Sequence, residues 1–191
     1  MLDVRNLQRL TLGPVDLSLA AGEVVALRGA SGSGKSLLMR ALADLDPCEG
    51  QVTLDGVDRN AISGPDWRKA VAWVPAEAGW WSDNVKDHFS DWTAALPLIT
   101  ELGLSEDCGG WQGSRASTGE RQRLALVRAL ALDPRILMLD EPTSGLDRLS
   151  VQRVEDLVAR LADAGKAVLW TTHDQDQAGR VSSRTLQIEN G

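Results

Sequence analysis

The sequence EVVALRGASGSGKS, residues 23–36, indicates the class of fold. Its first part, 23–28, is apolar and β-branched, which predicts a short strand. Leu37, Leu38 and Met39 follow the Gly-rich part and begin an apolar helical pattern. The order is therefore strand, loop, helix. The loop at 29–36 matches G-x-x-x-x-G-K-(S/T) in full, and this setting favours a phosphate-binding loop over a flexible Gly/Ser stretch.

The loop predicts contacts to a nucleotide triphosphate and its metal ion. Glycines allow backbone N–H groups to turn towards phosphates, and the positive end of the helix that begins near Lys35 adds to the attraction. Lys35 is expected to contact the β- and γ-phosphates, and the Ser36 hydroxyl to ligate Mg²⁺. The predicted nucleotide-binding residues are Gly29, Ala30, Ser31, Gly32, Ser33, Gly34, Lys35 and Ser36.

Residues 136–141, ILMLDE, supply a second half of the site. The continuous apolar run predicts a strand buried on both faces, and it ends in two carboxylates. Ligands of open α/β sheets bind at the carboxyl ends of the strands. Asp140 is the expected Mg²⁺ partner, and Glu141 is placed to orient or deprotonate an attacking water. A capping pair at a strand end is the structural alternative for either carboxylate alone.

His173 follows another buried strand, 167–170, and is expected at the same edge of the sheet. A lone histidine is more often structural or exposed than catalytic, so this position alone leaves its role open. The other histidine, His88, lies in an irregular segment and is interpreted as structural.

The remaining pattern alternates strands with helices. Strands are predicted at 51–54, 70–74 and 185–188, and helices at 118–130 and over 151–161, the second ending at Gly165. The segment from about Trp80 to Ser114 alternates turn residues with helical patches, so we expect an inserted, mostly helical piece. Alternating strands and helices predict an α/β fold with a largely parallel sheet and helices on both faces.

Composition limits the class of protein. The chain has 191 residues, which suits one domain, and 20 basic against 27 acidic residues give a net charge of −7, which argues against a general nucleic-acid binder. Cys48 and Cys108 form no C-x-x-C pair, so no zinc site or disulfide framework is expected and a reducing cytosol fits best. No apolar run approaches the roughly 20 residues of a membrane span, and the start of the chain is unlike a signal peptide. Any membrane role is expected to come from another chain.

These residues resemble the nucleotide-binding domain of ABC transporters over nearly the whole chain, as a short single cassette of bacterial type. Residues 116–123, ASTGERQR, resemble the family signature, residues 144–147, SGLD, resemble the D-loop, and His173 falls at the switch histidine. The resemblance implies a P-loop NTPase core with a mostly parallel sheet, a small antiparallel β part at the N-terminus and an inserted helical subdomain. Residues 1–191 would form one domain, with the insertion at about 77–116.

The resemblance also implies a mechanism driven by ATP and Mg²⁺. Two cassettes, identical or related, would pack head to tail, so that Ser117, Gly119 and Asp147 of one complete the site of the other, where Glu141, His173 and Lys35 are catalytic. Closure on ATP and opening after hydrolysis would drive solute transport through a separate integral membrane permease. The chain would then be cytoplasmic and held at the inner membrane by that permease, with no nucleic-acid partner.

The sequence departs from the family pattern at several positions. The family usually has Gln where Trp73-Val74-Pro75 leads to Ala76, and Glu77 is the nearest possible replacement. Thr118 replaces a signature Gly, and residues 1–28 contain no aromatic side chain that could stack on adenine. Two alternatives therefore stay open: a soluble ABC ATPase acting on DNA or ribosomes, and a degenerate cassette that only binds ATP. Trp80 and Trp81 either dock the permease or pack the small helical segment.

Overall fold

The computed structural model describes residues 1–188. In this part of the chain, strands alternate with helices along most of the sequence, and two sheets form. The strands are β1 Leu2–Arg9, β2 Leu12–Leu19, β3 Val24–Arg28, β4 Glu49–Leu54, β5 Val57–Asp58, β6 Val71–Val74, β7 Ile136–Asp140, β8 Ala167–Thr171 and β9 Arg184–Gln187. The α-helices are α1 Lys35–Leu42, α2 Gly64–Ala70, α3 Trp92–Glu101, α4 Thr118–Leu130, α5 Arg148–Asp163 and α6 Gln175–Val181.

The larger sheet is fully parallel and has the strand order β6-β7-β8-β3-β9. Strands β7, β8 and β3 are adjacent, so the loops that follow them open at one edge of the sheet. The register places Asp140, the last residue of β7, beside Thr171, the last residue of β8. The topology thus brings the phosphate loop, the two carboxylates and the His173 loop together.

The smaller sheet is antiparallel, with the strand order β2-β1-β4-β5. The sequence prediction of an α/β fold with a parallel sheet and a small antiparallel part is confirmed. The antiparallel sheet is N-terminal only in part, because β4 and β5 follow α1 in the chain.

Two apolar clusters cover the two faces of the parallel sheet. Met138 and Leu169 belong to the cluster shared with the antiparallel sheet and α1, whereas Leu137 and Leu139 belong to the cluster shared with α4 and α5. Successive side chains of a strand point to opposite faces, so a sheet covered on both sides needs continuous apolar runs. This requirement explains the sequence ILML in β7.

The segment 77–116 is less helical than the sequence pattern indicates. It contains α3, two short 3₁₀ turns at Val85–His88 and Glu106–Gly110, and loops between them. Its apolar residues Ile99 and Leu102 are buried against α4, in the same cluster as Leu124 and Val127. The glycines and turn residues of this segment favour loops, and its packing on α4 supplies the core that its short helices cannot form alone.

Within residues 1–188 no helix is long and apolar enough to cross a membrane.

Candidate functional site

The loop at 29–36 is shaped by its glycines and by the start of α1. Gly34 precedes the helix with a φ of 95°, a left-handed conformation that favours glycine. A Cβ at Gly29 would lie 2.6 Å from the Ile188 carbonyl oxygen, so this position has no room for a side chain. Lys35 is buried and donates hydrogen bonds from Nζ to the carbonyl oxygens of Gly29 (2.8 Å) and Ala30 (3.0 Å). The ammonium group therefore lies across the loop, where a phosphate can replace the two carbonyls.

Ser36 ties the loop to the end of strand β7. Its hydroxyl donates a 2.7 Å hydrogen bond to Asp140 Oδ2. The other carboxylate oxygen, Oδ1, accepts a 2.8 Å hydrogen bond from the hydroxyl of Thr171, which is fully buried. The two predicted Mg²⁺ ligands are thus in direct contact, and the neighbouring strand fixes the orientation of the carboxylate.

Glu141 follows Asp140 in a strained backbone conformation. Its φ is 50°, and its N–H donates a 2.8 Å hydrogen bond to the same Thr171 hydroxyl. Left-handed backbone at a residue other than glycine costs energy and is found repeatedly at functional sites. The Thr171 hydroxyl therefore holds both carboxylate-bearing residues.

The Glu141 carboxylate is half-buried and faces His173. Burial raises its pKa, the Asp140 charge acts in the same direction, and His173 and Lys35 oppose the shift. Oε1 lies 3.1 Å from His173 Nε2, but this contact is poorly aligned, and no aligned hydrogen-bond partner reaches Oε1 from residues 1–188. A buried acceptor without an aligned donor can accept a proton from a water molecule.

The predicted catalytic residues line one cleft of about 360 Å³. The cleft is lined by Ser31, Gly32, Gly34, Lys35, Ser36, Leu37, Ala76, Asp140, Glu141 and His173. Ala76 thus lies in the cleft, where its methyl group offers no ligand. Glu77 is exposed and lines a different cavity, beside Thr118 and Gln122, so the structure does not bring this carboxylate to the phosphate loop.

The predicted signature residues lie outside this cleft, at the start of α4. Ser117 is the N-cap, and its hydroxyl accepts a hydrogen bond from the Glu120 N–H (3.2 Å). The Glu120 carboxylate in turn accepts from the Ser117 N–H (2.8 Å) and contacts the Ser117 hydroxyl (2.8 Å), which completes a capping box. A Cβ at Gly119 would lie 2.8 Å from Leu146 Cδ2, so a larger residue would make the Leu146 side chain, in the loop before α5, shift.

Asp147 is also outside the cleft and caps α5. Its Oδ1 accepts from the Ser150 N–H (3.0 Å), and its Oδ2 accepts from the Ser150 hydroxyl (2.7 Å). The structure brings Lys35, Ser36, Asp140, Glu141 and His173 together and leaves Ser117, Gly119 and Asp147 apart from them within one chain.

The donor set of the cleft fits Mg²⁺. The ion prefers oxygen ligands and usually takes one or two protein ligands together with substrate phosphates and waters. Ser36 Oγ and Asp140 Oδ2 are two such oxygens, already 2.7 Å apart. No cluster of three or more His, Cys, Asp or Glu suited to hold a metal by itself occurs among the described residues, 1–188. The metal ion therefore fits as a companion of the nucleotide.

Thr171 is the residue of this site that the sequence reasoning missed. It is a buried hydroxyl at the end of a strand, and its importance depends on its lying beside Asp140. The signal that could have found it is the polar residue that ends the apolar run AVLW, at the same edge where β7 ends in Asp140.

Sequence comparison identifies the family of the chain. Residues 12–144 match the sequence model of the family described as ABC transporter. Among curated relatives, the aliphatic sulfonates import ATP-binding protein SsuB 3 of Pseudomonas savastanoi pv. phaseolicola is 40% identical over 206 residues, covering 100% of this chain and 73% of the relative. SsuB 1 of Pseudomonas fluorescens is 37% identical over 185 residues, covering 94% of this chain and 68% of the relative.

Solved structures share the same fold. An ATP-binding subunit of an ABC transporter superposes with a TM-score of 0.88 at 26% identity, covering 100% of this chain and 86% of the other. The ATP-binding cassette MJ0796, in a dimeric post-hydrolysis state with ADP and Pi, gives a TM-score of 0.80 at 25% identity, covering 99% and 94%.

The raised pKa of Glu141 predicts a pH-dependent effect on stability. In the folded protein the carboxylate is protonated at a higher pH than in the unfolded chain, so ionisation of Glu141 removes stability as the pH rises through its folded pKa. Glu141→Gln carries no charge, so we expect its melting temperature to exceed that of the parent at pH 8. The gain should vanish below the pKa of an unfolded glutamate, about 4.3.

Glu23→Gln is the control, because its melting temperature at pH 8 is expected to change in the opposite direction. A hydrogen bond from Arg184 lowers the pKa of Glu23, so its charged form stabilises the fold at neutral pH and the substitution should lower the melting temperature at pH 8. A lower melting temperature for Glu141→Gln at pH 8 would contradict the assignment of a buried, disfavoured charge.

Proposed function

This chain belongs to the ABC transporter family, and we propose that it powers solute import through a separate membrane permease by closing and opening a dimer of cassettes. It is an ATP-binding and ATP-hydrolysing subunit that works with Mg²⁺. The direction of import is proposed because the SsuB relatives carry import in their names.

One observation supports the hydrolytic role above the others. The hydrogen bond between Ser36 and Asp140 (2.7 Å) joins the phosphate loop to the end of β7, directly before Glu141, and His173 faces Glu141 at 3.1 Å. A phosphate group held by the loop would therefore lie against the two carboxylates and the histidine. A cassette that only binds ATP would not need this second set of groups.

The residues take distinct roles in this proposal. Lys35 leaves the two loop carbonyls and contacts the β- and γ-phosphates, which offsets their negative charge. Ser36 and Asp140 would hold Mg²⁺, which would supply further positive charge at the phosphates. Glu141 takes a proton from water while the water oxygen bonds to the γ-phosphorus and the bond to the bridging oxygen of ADP breaks. His173 orients Glu141 and the γ-phosphate.

The dimer is supported by the position of the signature. The N-terminus of α4 has backbone N–H groups without intrahelical partners and a positive dipole end, which together form a phosphate-binding surface. Ser117 and Gly119 lie at this end but outside the cleft of their own chain. A second copy packed head to tail would bring them, with Asp147, to the γ-phosphate. A related cassette could replace the second copy.

The two alternatives from the sequence have less support. An ABC ATPase that acts on DNA or ribosomes would need a basic surface, whereas this chain has a net charge of −7. A degenerate cassette is suggested by Ala76 alone, while Lys35, Asp140, Glu141 and His173 share one cleft.

The permease contact is proposed at Trp81, and a chain bound to its permease in this way would lie at the cytoplasmic side of the membrane. Trp81 is 71% exposed, whereas Trp80 is partly buried in the cluster under α4. The Arg128 guanidinium lies 4.8 Å from the Trp81 ring and 5.0 Å from the Trp80 ring, which holds both indoles in place. An exposed indole on a fixed support is a suitable anchor for a partner helix. Trp81 is the more exposed of the two tryptophans, which supports it as the docking residue.

Removing the carboxylate of Glu141 tests the proposed hydrolysis. Glu141→Gln is expected to lower ATP turnover by roughly 100-fold or more, the size of a general-base contribution, while ATP binding is kept. Turnover is measured by phosphate release and binding with a fluorescent ATP analogue. Lys35→Ala should instead lose binding, because the cation that contacts the phosphates is removed.

Glu77→Gln is the matched control, since it removes a carboxylate that lies outside the cleft. It is expected to keep parental turnover. If Glu141→Gln kept the parental ATP turnover, the proposal would be contradicted. If Glu77→Gln lost turnover to the extent expected for Glu141→Gln, the catalytic carboxylate would instead be assigned to Glu77.

The docking proposal predicts that Trp81→Ala keeps the fold and basal ATP turnover but no longer copurifies with a polytopic membrane protein from detergent-solubilised native membranes. Val57→Ala, which truncates an exposed apolar residue on the antiparallel sheet, is the control and should keep the partner. An unfolded Trp81→Ala protein, or full recovery of the partner, would contradict docking through Trp81.

A further inference from the structure

Gln177 is a buried polar residue that the nucleotide cleft does not use. It lies in the first turn of α6 and is only 4% exposed. Its side chain reaches three other parts of the fold: the loop after β8, the loop after β7, and helix α5. Burying an amide is costly unless its hydrogen bonds are made, so these contacts define its role.

The amide oxygen joins the two loops that carry the catalytic residues. Oε1 accepts a 2.8 Å hydrogen bond from the hydroxyl of Thr172, which precedes His173. The Thr143 hydroxyl, two residues after Glu141, lies 3.2 Å from Oε1 and 3.0 Å from Nε2 of the same amide. One side chain therefore bonds to both loops.

The position of His173 depends on its loop more than on its own contacts. Its side chain is 63% exposed, and Glu141 is its partner at 3.1 Å. The Thr172 hydroxyl, besides donating to Gln177, accepts the N–H of Asp174 at 3.1 Å, so the residues on both sides of His173 are held. The backbone of this loop must therefore fix the position of the exposed His173 imidazole.

The contacts at position 177 use both a hydrogen-bond acceptor and a donor, and an amide provides both. Nε2 donates a 2.9 Å hydrogen bond to Glu155 Oε1 on α5, and Glu155 is nearly buried and also pairs with Arg180 at 3.0 Å. A carboxylate at position 177 would accept from the threonines but would face the carboxylate of Glu155 without a donor between them. An apolar side chain would remove a hydrogen-bond partner from both threonine hydroxyls and from the Glu155 carboxylate.

We propose that Gln177 is a positioning residue for ATP hydrolysis, which fixes the His173 loop against the loop that follows Glu141. The inference rests on the proposed roles of Glu141 and His173. Gln177 lies outside the cleft, but it would fix the relative positions of Glu141 and His173, which act inside it. Small displacements of catalytic groups lower turnover strongly while substrate binding elsewhere is kept.

An exchange of amide and carboxylate between positions 177 and 155 tests the proposal in the full chain. Gln177→Glu is expected to lower kcat by roughly tenfold or more, with the KM for ATP and the affinity for a fluorescent nucleotide unchanged. Glu155→Gln alone keeps an acceptor for Gln177 and should stay within about threefold of the parent. Combining both substitutions restores a donor facing an acceptor and should return kcat to within about threefold.

Gln152→Glu with its partner Asp156 is the control, because it places two carboxylates together on the exposed face of the same helix. It is expected to leave kcat unchanged. Rates are normalised to the fraction of protein that binds nucleotide, so a loss of folded protein is not counted as a loss of kcat.

Three outcomes would overturn the inference: parental kcat in Gln177→Glu, a loss of nucleotide affinity equal to the loss of kcat, or a folded double variant that stays slow. The proposed function is tested separately by Glu141→Gln and His173→Ala. If these two variants hydrolyse ATP slowly and the exchange between positions 177 and 155 has no effect, only the proposed role of Gln177 is wrong. If both variants hydrolyse ATP at the parental rate, the proposed function itself is wrong.

Discussion

The hydrogen bond from Ser36 to Asp140 is the contact on which the rest of the site depends. It joins the start of α1 to the end of β7, and Thr171 extends it to β8 by bonding both Asp140 and the N–H of Glu141. Three neighbouring strands of a parallel sheet thus end in one connected set of polar groups. The apolar clusters on the two faces of the sheet hold these strands in register, so burial on both faces is what gives the small polar site its geometry.

Much of the core fold could be predicted because its signals are local. The phosphate loop, the apolar runs of β3, β7 and β8, and the pattern of α4 each lie within one short stretch, and the observed bounds of α4, Thr118–Leu130, match the predicted ones. No comparable local signal predicts α2, α6 or the pairing of β4 with β1. These elements are short or depend on partners distant in the chain, and α6 in particular has only seven residues and is held by contacts to other elements.

The residues of the site differ in the same way: some are predicted from the neighbouring sequence, and others depend on partners distant in the chain. The sequence placed Lys35, Asp140 and Glu141 at one edge, and the cleft contains all three. The supporting residues were not predicted, because Thr171 and Gln177 act through partners about thirty residues away, and only the register of the sheet and the packing of α6 bring them close. Their chemistry is ordinary, a hydroxyl and an amide, so the residue type alone gives no signal.

A single chain contains the phosphate loop and the carboxylates, while Ser117 lies at another surface with its hydroxyl engaged by Glu120. If two cassettes complete one site, they must associate when ATP is bound, and sedimentation velocity of Glu141→Gln with Mg²⁺ and ATP measures this association. We expect a two-chain species with Mg²⁺ and ATP, and single chains with ADP or after Lys35→Ala. Two results together would contradict a two-chain site: Glu141→Gln remains as single chains at saturating ATP, and the ATP turnover of the parent protein does not depend on protein concentration.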